Sequence, residues 1–400
     1  MDLKRRIAFV IPRYEIGQAG GAEIHAAKLA QQLVKRGHHI EVFTTCARDH
    51  HRWDNVLLSG TQEQDGISIH RFETDPKEDH ALFLELQAKI HAGLKLEPEE
   101  EHQWIRNSVH SRELYRAIEK RKDEFDGIIF MPYLFGMAYE GSKVVPDKFI
   151  LIPCLHDEPY AYLSIFKEMF NRAKSIFFNT FPEMEIARRI FDLNVSAHHI
   201  VALGFDNITP ADTGAFRTKF GLGDCPYLLF AGRKEKGKNI PLLIEYFKHY
   251  TKNVHAGVKL VLIGSGDLSI PDQYKDDILD FGFVSTEDKL NAIAGSLSFC
   301  LPSVNESLSI VLMEAWSQKV PVLVHANCAV TRYHCDQSGG GLYFSNYFEF
   351  EEALEWLRSC DEIRNKMGCL GQIYVQTQYS WDAVVGRFEK AFDAYINGSS

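Results

Sequence analysis

Short apolar runs alternate with helical segments along most of this chain of 400 residues. The run IAFVIP (7–12) has the continuous apolar character of a strand that is buried on both faces. A glycine-bearing loop follows, and then AEIHAAKLAQQLVKRG, whose apolar residues recur at helical spacing until Gly37 ends the segment. HIEVFT (39–44) is the next strand candidate. This order predicts a right-handed βαβ unit in a parallel sheet.

The same alternation continues in two blocks of strand candidates. The first block contains GISIHRF, DGIIFMP, FILIPCLHD, SIFFNT and HHIVALGF, and the second contains YLLFAGR, VKLVLIGSG, ILDFGFV, SLSFCLP, VPVLVH and GLYFS. The segment DNITPADTGAFRTKFGLGDCP lies between the blocks and has the composition of a linker. We therefore predict an α/β fold with two Rossmann-like, doubly wound domains at residues 1–205 and 206–380. The amphipathic helix at 381–400 is expected to pack on the first domain.

Residues from about Asp75 to Asp123 interrupt the first block. This stretch is charged and has helical spacing, so we expect a helical excursion on one face of the first domain. Its segment IRNSVHSRELYRAIEKRK (105–122) carries cations at intervals and could contact an anionic membrane.

The net charge and the lengths of the apolar runs limit the classes of partner and the location of the protein. A net charge of −10 argues against a nucleic-acid partner that is bound through a broad basic face. The N-terminal apolar run is too short for a secretion signal, and no stretch reaches the roughly 20 apolar residues of a membrane span. We therefore expect a cytoplasmic protein, with peripheral contact at the inner membrane face as an open alternative.

The 8 cysteines are scattered, which is typical of reduced thiols. One group combines cysteines with histidines: His325, Cys328, His334 and Cys335. Its C-x6-C spacing matches no standard zinc pattern, so we expect a surface loop without metal.

Several polar clusters directly follow predicted strands, where doubly wound domains bind ligands. Gly20 and Gly21 precede a helix and could bring its N–H groups close to an anion, although a glycine pair is equally typical of a loop with positive φ. His25, in the helix itself, is a weaker candidate. The segment AGRKEKGKN (231–239) is strongly basic, and IGSGD (263–267) is a second glycine turn. The basic segment suits a diphosphate better than a solvated turn, through Arg233, Lys234, Lys236 and Lys238.

His156 and Asp157 end the strand candidate FILIPCLHD. A histidine in this position is often structural, but a neighbouring carboxylate could orient its ring for a functional contact.

The segment SVNESLSIVLMEA (303–315) contains two glutamates eight positions apart. Glu306 could be a helix-start charge, with Asn305 or Ser307 as the capping residue. Glu314 lies in an apolar run, where a charge is costly without a partner. On one helix the two carboxylates would be about 12 Å apart at 1.5 Å per residue. That separation suits the two hydroxyl-rich ends of a nucleotide sugar, with its diphosphate between them.

Together these motifs resemble the retaining glycosyltransferases of family 4, which have two Rossmann-like domains facing across a cleft, the GT-B fold. The resemblance covers nearly the whole chain. The matching motifs are GGAE at Gly20 and Gly21, HD at His156 and Asp157, G-R-x4-K at Gly232, Arg233 and Lys238, E-x7-E at Glu306 and Glu314, and a tryptophan-bearing helix at Trp381.

The resemblance implies a role for each matching residue. Glu306 would contact the donor sugar near the reacting carbon, and His156 would hydrogen-bond to that sugar. Arg233 and Lys238 would neutralise the leaving diphosphate without a metal. The remaining donor contacts would come from Glu314 to the ribose, from Phe283 and Val284 to the base, and from the backbone amides of Ser307, Leu308 and Ser309. Here ESLS replaces the commoner EGFG, which makes the backbone contacts less certain.

The function implied is retaining transfer of a hexose from a nucleotide sugar, with UDP-glucose as the first guess, to a sugar or lipid-linked acceptor in polysaccharide biosynthesis. No cofactor is implied. The second domain would bind the donor and the first domain the acceptor, for which Trp104, Tyr133, Phe135 and Tyr160 could be stacking residues or core.

Three other functions are alternatives to this one. An epimerase of the same architecture could use Asp157 and Glu158 as acid and base. A non-catalytic protein could bind a nucleotide sugar without turning it over. A dinucleotide oxidoreductase is disfavoured, because the G-x-G-x-x-G fingerprint is missing.

Overall fold

The protein forms two compact units in a computed structural model. The structure describes residues 4–15, 20–49, 52–193, 198–206, 209–254 and 257–398, without the side chain of Lys236. The first unit comprises Met1–Gly204 with Trp381–Ser400, and the second comprises Phe205–Ser380. Each unit contains one mainly parallel sheet with helices against it.

The strands follow the apolar runs of the sequence. In the first unit they are Arg6–Val10 (β1), His39–Thr45 (β2), Gly60–Gln64 (β3), Ile67–Phe72 (β4), Gly127–Phe130 (β5), Phe149–Leu151 (β6), Ser175–Phe178 (β7) and His198–Ile200 (β8). In the second unit they are Tyr227–Ala231 (β9), Lys259–Ile263 (β10), Ile278–Asp280 (β11), Ser298–Leu301 (β12), Val322–His325 (β13) and Gly341–Phe344 (β14).

The α-helices fill most of the connections between these strands. They are Gly21–Lys35 (α1), His80–His91 (α2), Pro98–Arg106 (α3), Arg112–Arg121 (α4), Gly136–Gly141 (α5), Ser164–Arg172 (α6), Phe181–Phe191 (α7), Ala215–Phe220 (α8), Ile240–Val254 (α9), Thr286–Ala294 (α10), Ile310–Ser317 (α11), Ala329–Ser338 (α12), Tyr347–Ser359 (α13), Asp361–Gln378 (α14) and Trp381–Ile396 (α15).

The first sheet has the order β3-β4-β2-β1-β5-β6-β7-β8, and its pairs are parallel except for β3 with β4. Side chains of β1 alternate between two apolar cores, because successive residues of a strand point to opposite faces. Ile7 and Phe9 enter a core with α1 and α15, whereas Ala8 and Val10 enter a core with α2, α3, α4, α5, α6 and α7. Two buried faces explain why the strand is apolar throughout.

The second sheet has the order β11-β10-β9-β12-β13-β14 and is parallel throughout. Its centre is β9, whose residues Tyr227–Ala231 are all buried. The α/β class and the two parallel-sheet units predicted from the sequence are confirmed. No helix within the described residues is long and apolar enough to span a membrane.

The last helix, α15, packs in the first unit. Its buried residues Val384, Val385, Phe388, Ala391 and Phe392 join the core that contains Ile7 and Phe9. The Phe388 ring meets Phe177 of β7 edge to face, at 5.5 Å between centroids. A helix that follows the second unit in sequence thus completes one side of the first sheet.

The structure corrects three expectations from the sequence. The polar strand β3 was missed, although Asp65 and Gly66 before β4 form a tight turn with positive φ at both residues. Asp-Gly is the sequence signal for such a hairpin. The supposed linker contains α8, anchored by the fully buried Phe216.

The third correction concerns the cluster of cysteine and histidine near residue 330. Cys328, His334 and Cys335 are buried at and within α12, so the expected surface loop is wrong. Burial raises the pKa of the Cys335 thiol and lowers that of His334 to about 3. Among the described residues, no group of three or more His, Cys, Asp or Glu side chains is arranged to hold a metal ion.

The excursion between Asp75 and Asp123 is helical, as predicted, and consists of α2, α3 and α4. The helices face the sheet with apolar residues, so the excursion is part of the core of the first unit. Trp104, Tyr133 and Tyr160 are buried in that core. The structure therefore supports a packing role for these three aromatic residues and not stacking on an acceptor sugar.

We expect Phe388→Ala to lower the free energy of unfolding by about 3–5 kcal/mol, because it removes a large aromatic ring from a packed core. Lys390→Ala, on the exposed side of the same helix, should change stability by less than about 0.5 kcal/mol. Urea unfolding of both variants measures the difference. A loss below about 1 kcal/mol for Phe388→Ala would show that α15 contributes little to the core.

Candidate active site

The second sheet has its switch point between β9 and β12. These strands are neighbours, but the chain connects β9 to β10 on one side and β12 to β13 on the other. The loops after β9 and β12 therefore diverge, and a crevice is left at their carboxyl ends, where open α/β sheets bind ligands. The basic segment AGRKEKGKN follows β9, and the segment with Glu306 follows β12.

An ion pair joins these two loops. Lys238 Nζ donates to Glu306 Oε1 at 2.6 Å. Both side chains are mostly shielded from solvent, the glutamate more than the lysine. Beside them, Asn239 Nδ2 donates to the carbonyl oxygen of Pro302 at 3.1 Å. The last cation of the basic segment and the first glutamate of the E-x7-E motif therefore lie at one point of the crevice.

The other cations of the basic segment differ in their surroundings. Lys234 is buried and donates to both carboxylate oxygens of Asp280, at 2.6 and 2.7 Å. Lys234 thereby anchors the loop after β9 to the end of β11. The structure supports a structural role for this lysine and not the predicted contact with a diphosphate. Arg233 is largely exposed, with Glu235 at 3.3 Å. The Lys236 side chain lies outside the described part of the structure.

The glycine turn IGSGD packs directly on the basic segment. Gly264 has a φ of 123°, and a Cβ there would overlap with the backbone of Gly232. The N–H of Lys234 donates to the carbonyl oxygen of Ser265 at 2.7 Å. These glycines thus permit a close approach of the two loops. The turn therefore has a packing role, and the phosphate contact predicted from the sequence stays a second possible role.

Glu306 does not begin a helix, which corrects the sequence-based expectation. Helix α11 begins at Ile310, so Glu306 lies in the preceding loop and the 12 Å estimate for one continuous helix does not apply. Asn305 and Ser307 are not the capping residues either. Ser309 occupies the N-cap position, in a left-handed conformation with a φ of 70° and without a capping hydrogen bond from its side chain.

Glu314 is buried on α11 and has a lysine partner. Lys289 Nζ, from α10, donates to Glu314 Oε1 at 2.6 Å. The second oxygen, Oε2, is buried and has no hydrogen-bond partner among the described residues. The sequence indicated that this charge needs a partner but not which one, because Lys289 belongs to no recognisable motif.

Two more buried oxygens in this segment lack partners within the described ranges, Ser303 Oγ and Ser309 Oγ. A buried polar group without a hydrogen bond costs about 1–3 kcal/mol. Together with Glu314 Oε2, three such groups occur between residues 303 and 314. This concentration is typical of a surface that is completed by water or by a polar ligand.

Phe283 and Val284, the predicted base contacts, lie in the turn between β11 and α10. The Phe283 side chain is 85% exposed, and Val284 is half-buried. Ser285 caps α10 by accepting from the N–H of Asp288 at 3.0 Å, which fixes the start of the helix that carries Lys289. An exposed aromatic ring beside this helix is available for stacking.

In the first unit, Gly20 and Gly21 stand at the start of α1 beyond the end of β1. Gly20 is extended, with a φ of −179°, and Gly21 is helical, so neither needs a positive φ. A side chain at Gly20 would overlap with Glu23, which is paired with Arg13. Residues 16–19 of this loop lie outside the described residues. His25 is buried, and burial lowers its pKa to about 4, so it is neutral.

The contacts around His156 differ from the predicted ones. Asp157 accepts from Tyr162 Oη at 2.7 Å and pairs with Arg189 at 2.5 Å. Glu158 is the carboxylate near the ring, with its Oε1 at 3.9 Å from His156 Nδ1 and 2.9 Å from Tyr133 Oη. The proposed orientation of the ring by Asp157 is therefore wrong. The His156 side chain is partly exposed and accessible to a ligand.

Sequence reasoning missed Glu183, which supports the loop before His156. Its fully buried carboxylate accepts from the N–H groups of Leu155 and Asn179, at 2.6 and 2.5 Å. Burial raises the pKa of Glu183 to about 8, against the effect of these N–H groups. The signal was the sequence Thr180-x-x-Glu183, a capping box at the start of α7. That motif indicates a helix end but not a contact with a second loop.

Comparison with known proteins agrees with this geometry. The family model described as Glycosyl transferases group 1 matches residues 213–372, within the second unit. An uncharacterized glycosyltransferase of Methanocaldococcus jannaschii is 26% identical over 350 residues, which are 80% of this chain and 80% of that protein.

Two solved structures extend the similarity to the whole fold. Sucrose-phosphate synthase from Thermosynechococcus elongatus has a TM-score of 0.72 at 16% identity and covers 99% of this chain and 100% of its own. HepE of Anabaena in complex with UDP-glucose has a TM-score of 0.69 at 14% identity and covers 98% of this chain and 100% of its own.

The two parallel-sheet units have the GT-B fold, as these solved structures do. The chain is a glycosyltransferase, and its second unit carries a group 1 glycosyltransferase domain. The comparisons favour this activity over the epimerase, the oxidoreductase and the non-catalytic binding protein.

The raised pKa of Glu183 predicts a pH dependence of stability. From pH 4.5 to about 8 the folded protein retains a proton that the unfolded chain releases. This contribution is complete below the unfolded pKa and is lost as the pH rises through the folded one. Relative to Glu183→Gln, which cannot titrate, the free energy of unfolding should fall by up to about 1.4 kcal/mol per pH unit in that window.

Urea unfolding of both proteins at several pH values between 5 and 9 measures this trend. Glu185→Gln, which alters an exposed carboxylate paired with Arg188 on the same helix, is the matched control and should track the wild type. A constant difference between wild type and Glu183→Gln across the range would contradict the assignment.

Proposed function

We propose that this glycosyltransferase transfers a hexose, with retention of configuration, from a nucleoside diphosphate sugar bound in the second unit. The observation that carries the proposal is the ion pair between Lys238 and Glu306. This pair brings together a cation and a carboxylate from loops on either side of the switch point, which supports the binding of a sugar diphosphate there.

The diphosphate has a suitable environment at this point. Lys238 has three N–H donors and can share them between Glu306 and a phosphate oxygen. Arg233 is exposed and can approach the same anion. The first turn of α11 lacks a capping hydrogen bond from Ser309, so its N–H groups can face negative charge. We propose that these groups stabilise the leaving diphosphate without a metal or other cofactor.

Glu314 suits the ribose end of the donor. Lys289 neutralises one of its oxygens, and the other is buried with no partner among the described residues. A ribose hydroxyl would donate to that oxygen and remove the cost of leaving it unpaired. Phe283, with Val284 beside it, offers an exposed ring against which the base can stack.

In the proposed reaction the acceptor oxygen attacks the anomeric carbon on the face from which the diphosphate leaves. The bond from that carbon to the diphosphate oxygen breaks as the bond to the acceptor oxygen forms. The acceptor proton passes to the departing phosphate. Glu306 stabilises the sugar near the reacting carbon, and His156 hydrogen-bonds to the sugar.

UDP-glucose is the proposed first donor. The structure of HepE, which has the same fold, contains UDP-glucose, and this supports the choice of donor class. We propose a sugar or lipid-linked acceptor bound by the first unit, with Gly20 and Gly21 near the donor. A role in polysaccharide biosynthesis, a cytoplasmic location and peripheral contact with the inner membrane face are parts of the same proposal.

A donor screen tests this function. We expect the purified chain to hydrolyse UDP-glucose slowly and faster than GDP-glucose or ADP-glucose, with free glucose as the product. Glu306→Gln should lower this rate at least about 100-fold, because it removes a charge that acts on the transition state, while UDP binding changes little. Glu245→Gln, on the exposed side of α9, is the control. Epimerised donor, or full activity of Glu306→Gln, would contradict the proposal.

Binding of UDP separates the phosphate contacts from the chemical step. Lys238→Ala should raise the Kd of UDP about 10- to 100-fold, as expected for loss of a charged hydrogen bond of about 1.5–3 kcal/mol. Lys248→Ala removes a lysine paired with Glu245 on α9 and should leave the Kd unchanged. Calorimetric titration of both variants provides the comparison. Equal affinity of wild type and Lys238→Ala would exclude Lys238 from the diphosphate site.

A further inference from the structure

A cavity opens in the first unit beside the carboxyl ends of β2 and β4. Its volume is about 510 Å³, in the range of sites that hold small molecules. We call it the loop cavity and define it by residues 52–55, 74–77, 80, 108 and 109. Carboxyl ends of parallel strands are where open α/β sheets bind ligands, and neither the fold nor the donor site explains this cavity.

The walls of the loop cavity are held together by hydrogen bonds. Asn55 Oδ1 accepts from the N–H of Thr74 at 2.8 Å, and Asn55 Nδ2 donates to the Thr74 carbonyl oxygen at 3.3 Å. Thr74 Oγ1 donates to the carbonyl oxygen of Trp53 at 2.9 Å. On the far side, the N–H of Asp79 donates to Asn107 Oδ1 at 2.7 Å. Two loops are thereby fixed to each other, which makes the cavity a preformed feature.

Trp53 occupies an unusual position in this wall. Its φ of 62° is in the left-handed region, which is rare for a bulky residue and is often found at functional sites. The ring meets Phe135 edge to face at 5.2 Å between centroids, and the Arg13 guanidinium lies 5.8 Å from it. The indole is half-buried, so it retains exposed surface. A fixed and partly exposed indole is suited to stacking on the apolar face of a sugar ring.

The charges around the loop cavity favour an anion. Arg52 and Lys77 both line it, and neither forms an ion pair with a carboxylate of the described residues. Lys77 Nζ lies 3.3 Å from His80 Nδ1, which adds a third nitrogen group to the wall. Of the two acidic residues in the lining, Asp75 is bound to Arg112 at 3.0 Å.

Asp54 is the remaining carboxylate of the lining. It raises the pKa of Lys77 electrostatically, but burial lowers that pKa by more. The attraction between Asp54 and Lys77 is thus weaker than the unfavourable effect of partial burial on the Lys77 cation. Lys77 is half-buried and forms no ion pair with a carboxylate of the described residues, so its partly desolvated charge gains from a bound anion.

We propose that the loop cavity is the acceptor subsite and that it takes a sugar bearing a phosphate or carboxylate group. The sugar ring stacks on Trp53, and the anionic group binds to Arg52 and Lys77. The inference rests on the proposed transferase function and specifies its acceptor class. A neutral sugar would leave the two cations of the wall without a counter-charge.

Binding of small probes to the full chain tests the inference. The probes are glucose 6-phosphate, glucuronate, glucose and inorganic phosphate, titrated by calorimetry. We expect at least one of the two charged sugars to have a Kd about tenfold or more below those of glucose and of inorganic phosphate. Comparison of glucose 6-phosphate with glucuronate identifies the anionic group. Equal affinity for glucose and both charged sugars, or a Kd of inorganic phosphate no higher than that of the tighter charged sugar, would overturn the proposal.

Variants assign the binding to the loop cavity. Lys77→Gln and Arg52→Gln should each raise the Kd of the charged sugar about tenfold and leave that of glucose unchanged. Trp53→Ala should weaken charged sugar and glucose alike, and thermal melting checks that it folds. Lys167→Gln, an exposed lysine of α6 in the same unit, is the matched control and should bind as the wild type does. Unchanged binding in both cation variants would place the site elsewhere.

UDP binding and UDP-glucose hydrolysis separate this inference from the proposed function. Both are measured on the wild-type chain, because the donor is assigned to the second unit and the charged sugar to the first. If the wild type hydrolyses UDP-glucose and does not distinguish charged from neutral sugars, the acceptor inference fails while the donor assignment holds. If the charged sugars bind as expected but UDP does not, the donor assignment fails instead.

Discussion

The adjacency of β9 and β12 in the second sheet is the constraint on which the candidate site depends. Paired residues of the two strands are 70 positions apart in the sequence, with Ser298 beside Leu228 and Phe299 beside Leu229. Right-handed crossovers carry the chain away from them in opposite directions, so their carboxyl-end loops enclose a crevice. Lys238 and Glu306 meet there because each lies a few residues beyond its strand. Any ligand bound at this point faces a cation and a carboxylate together.

Shielded charges give the site its chemical character. Removing an ion pair from water costs free energy that its own attraction often does not recover. The pairs of Lys238 with Glu306 and of Lys289 with Glu314 are therefore weak evidence for stability and better evidence for binding. Glu314 Oε2, which has no hydrogen-bond partner in the described part of the chain, supports this view, since a purely structural pair would gain from full hydrogen bonding. Lys234 with Asp280 is the contrasting case, because both carboxylate oxygens are bonded to the lysine.

Much of the fold could be predicted, because strands buried on both faces must be apolar throughout and helices against them must be amphipathic. The exceptions have physical reasons. β3 is exposed along its whole length and carries no apolar pattern, and α8 is short and anchored by Phe216. Ser309 adopts a φ of 70°, a conformation that glycine adopts more easily, which accounts for the glycine-rich form of this segment in the resembling family. The start of α11 at Ile310 was not predicted, because a serine at position 309 does not indicate the left-handed conformation that precedes the helix.

The sequence alone determined the α/β class, the order of the elements and the residue types that follow each strand, because these depend on local periodicity and on turn chemistry. It also indicated that a charge at Glu314 requires a partner. Only the tertiary structure decided which partner it is, Lys289, and that Asp157 turns to Arg189 while Glu158 lies near His156. It also decided that Glu183 supports the loop before His156. Such pairings depend on which strands are neighbours and how helices rotate against the sheet, and local patterns do not encode either.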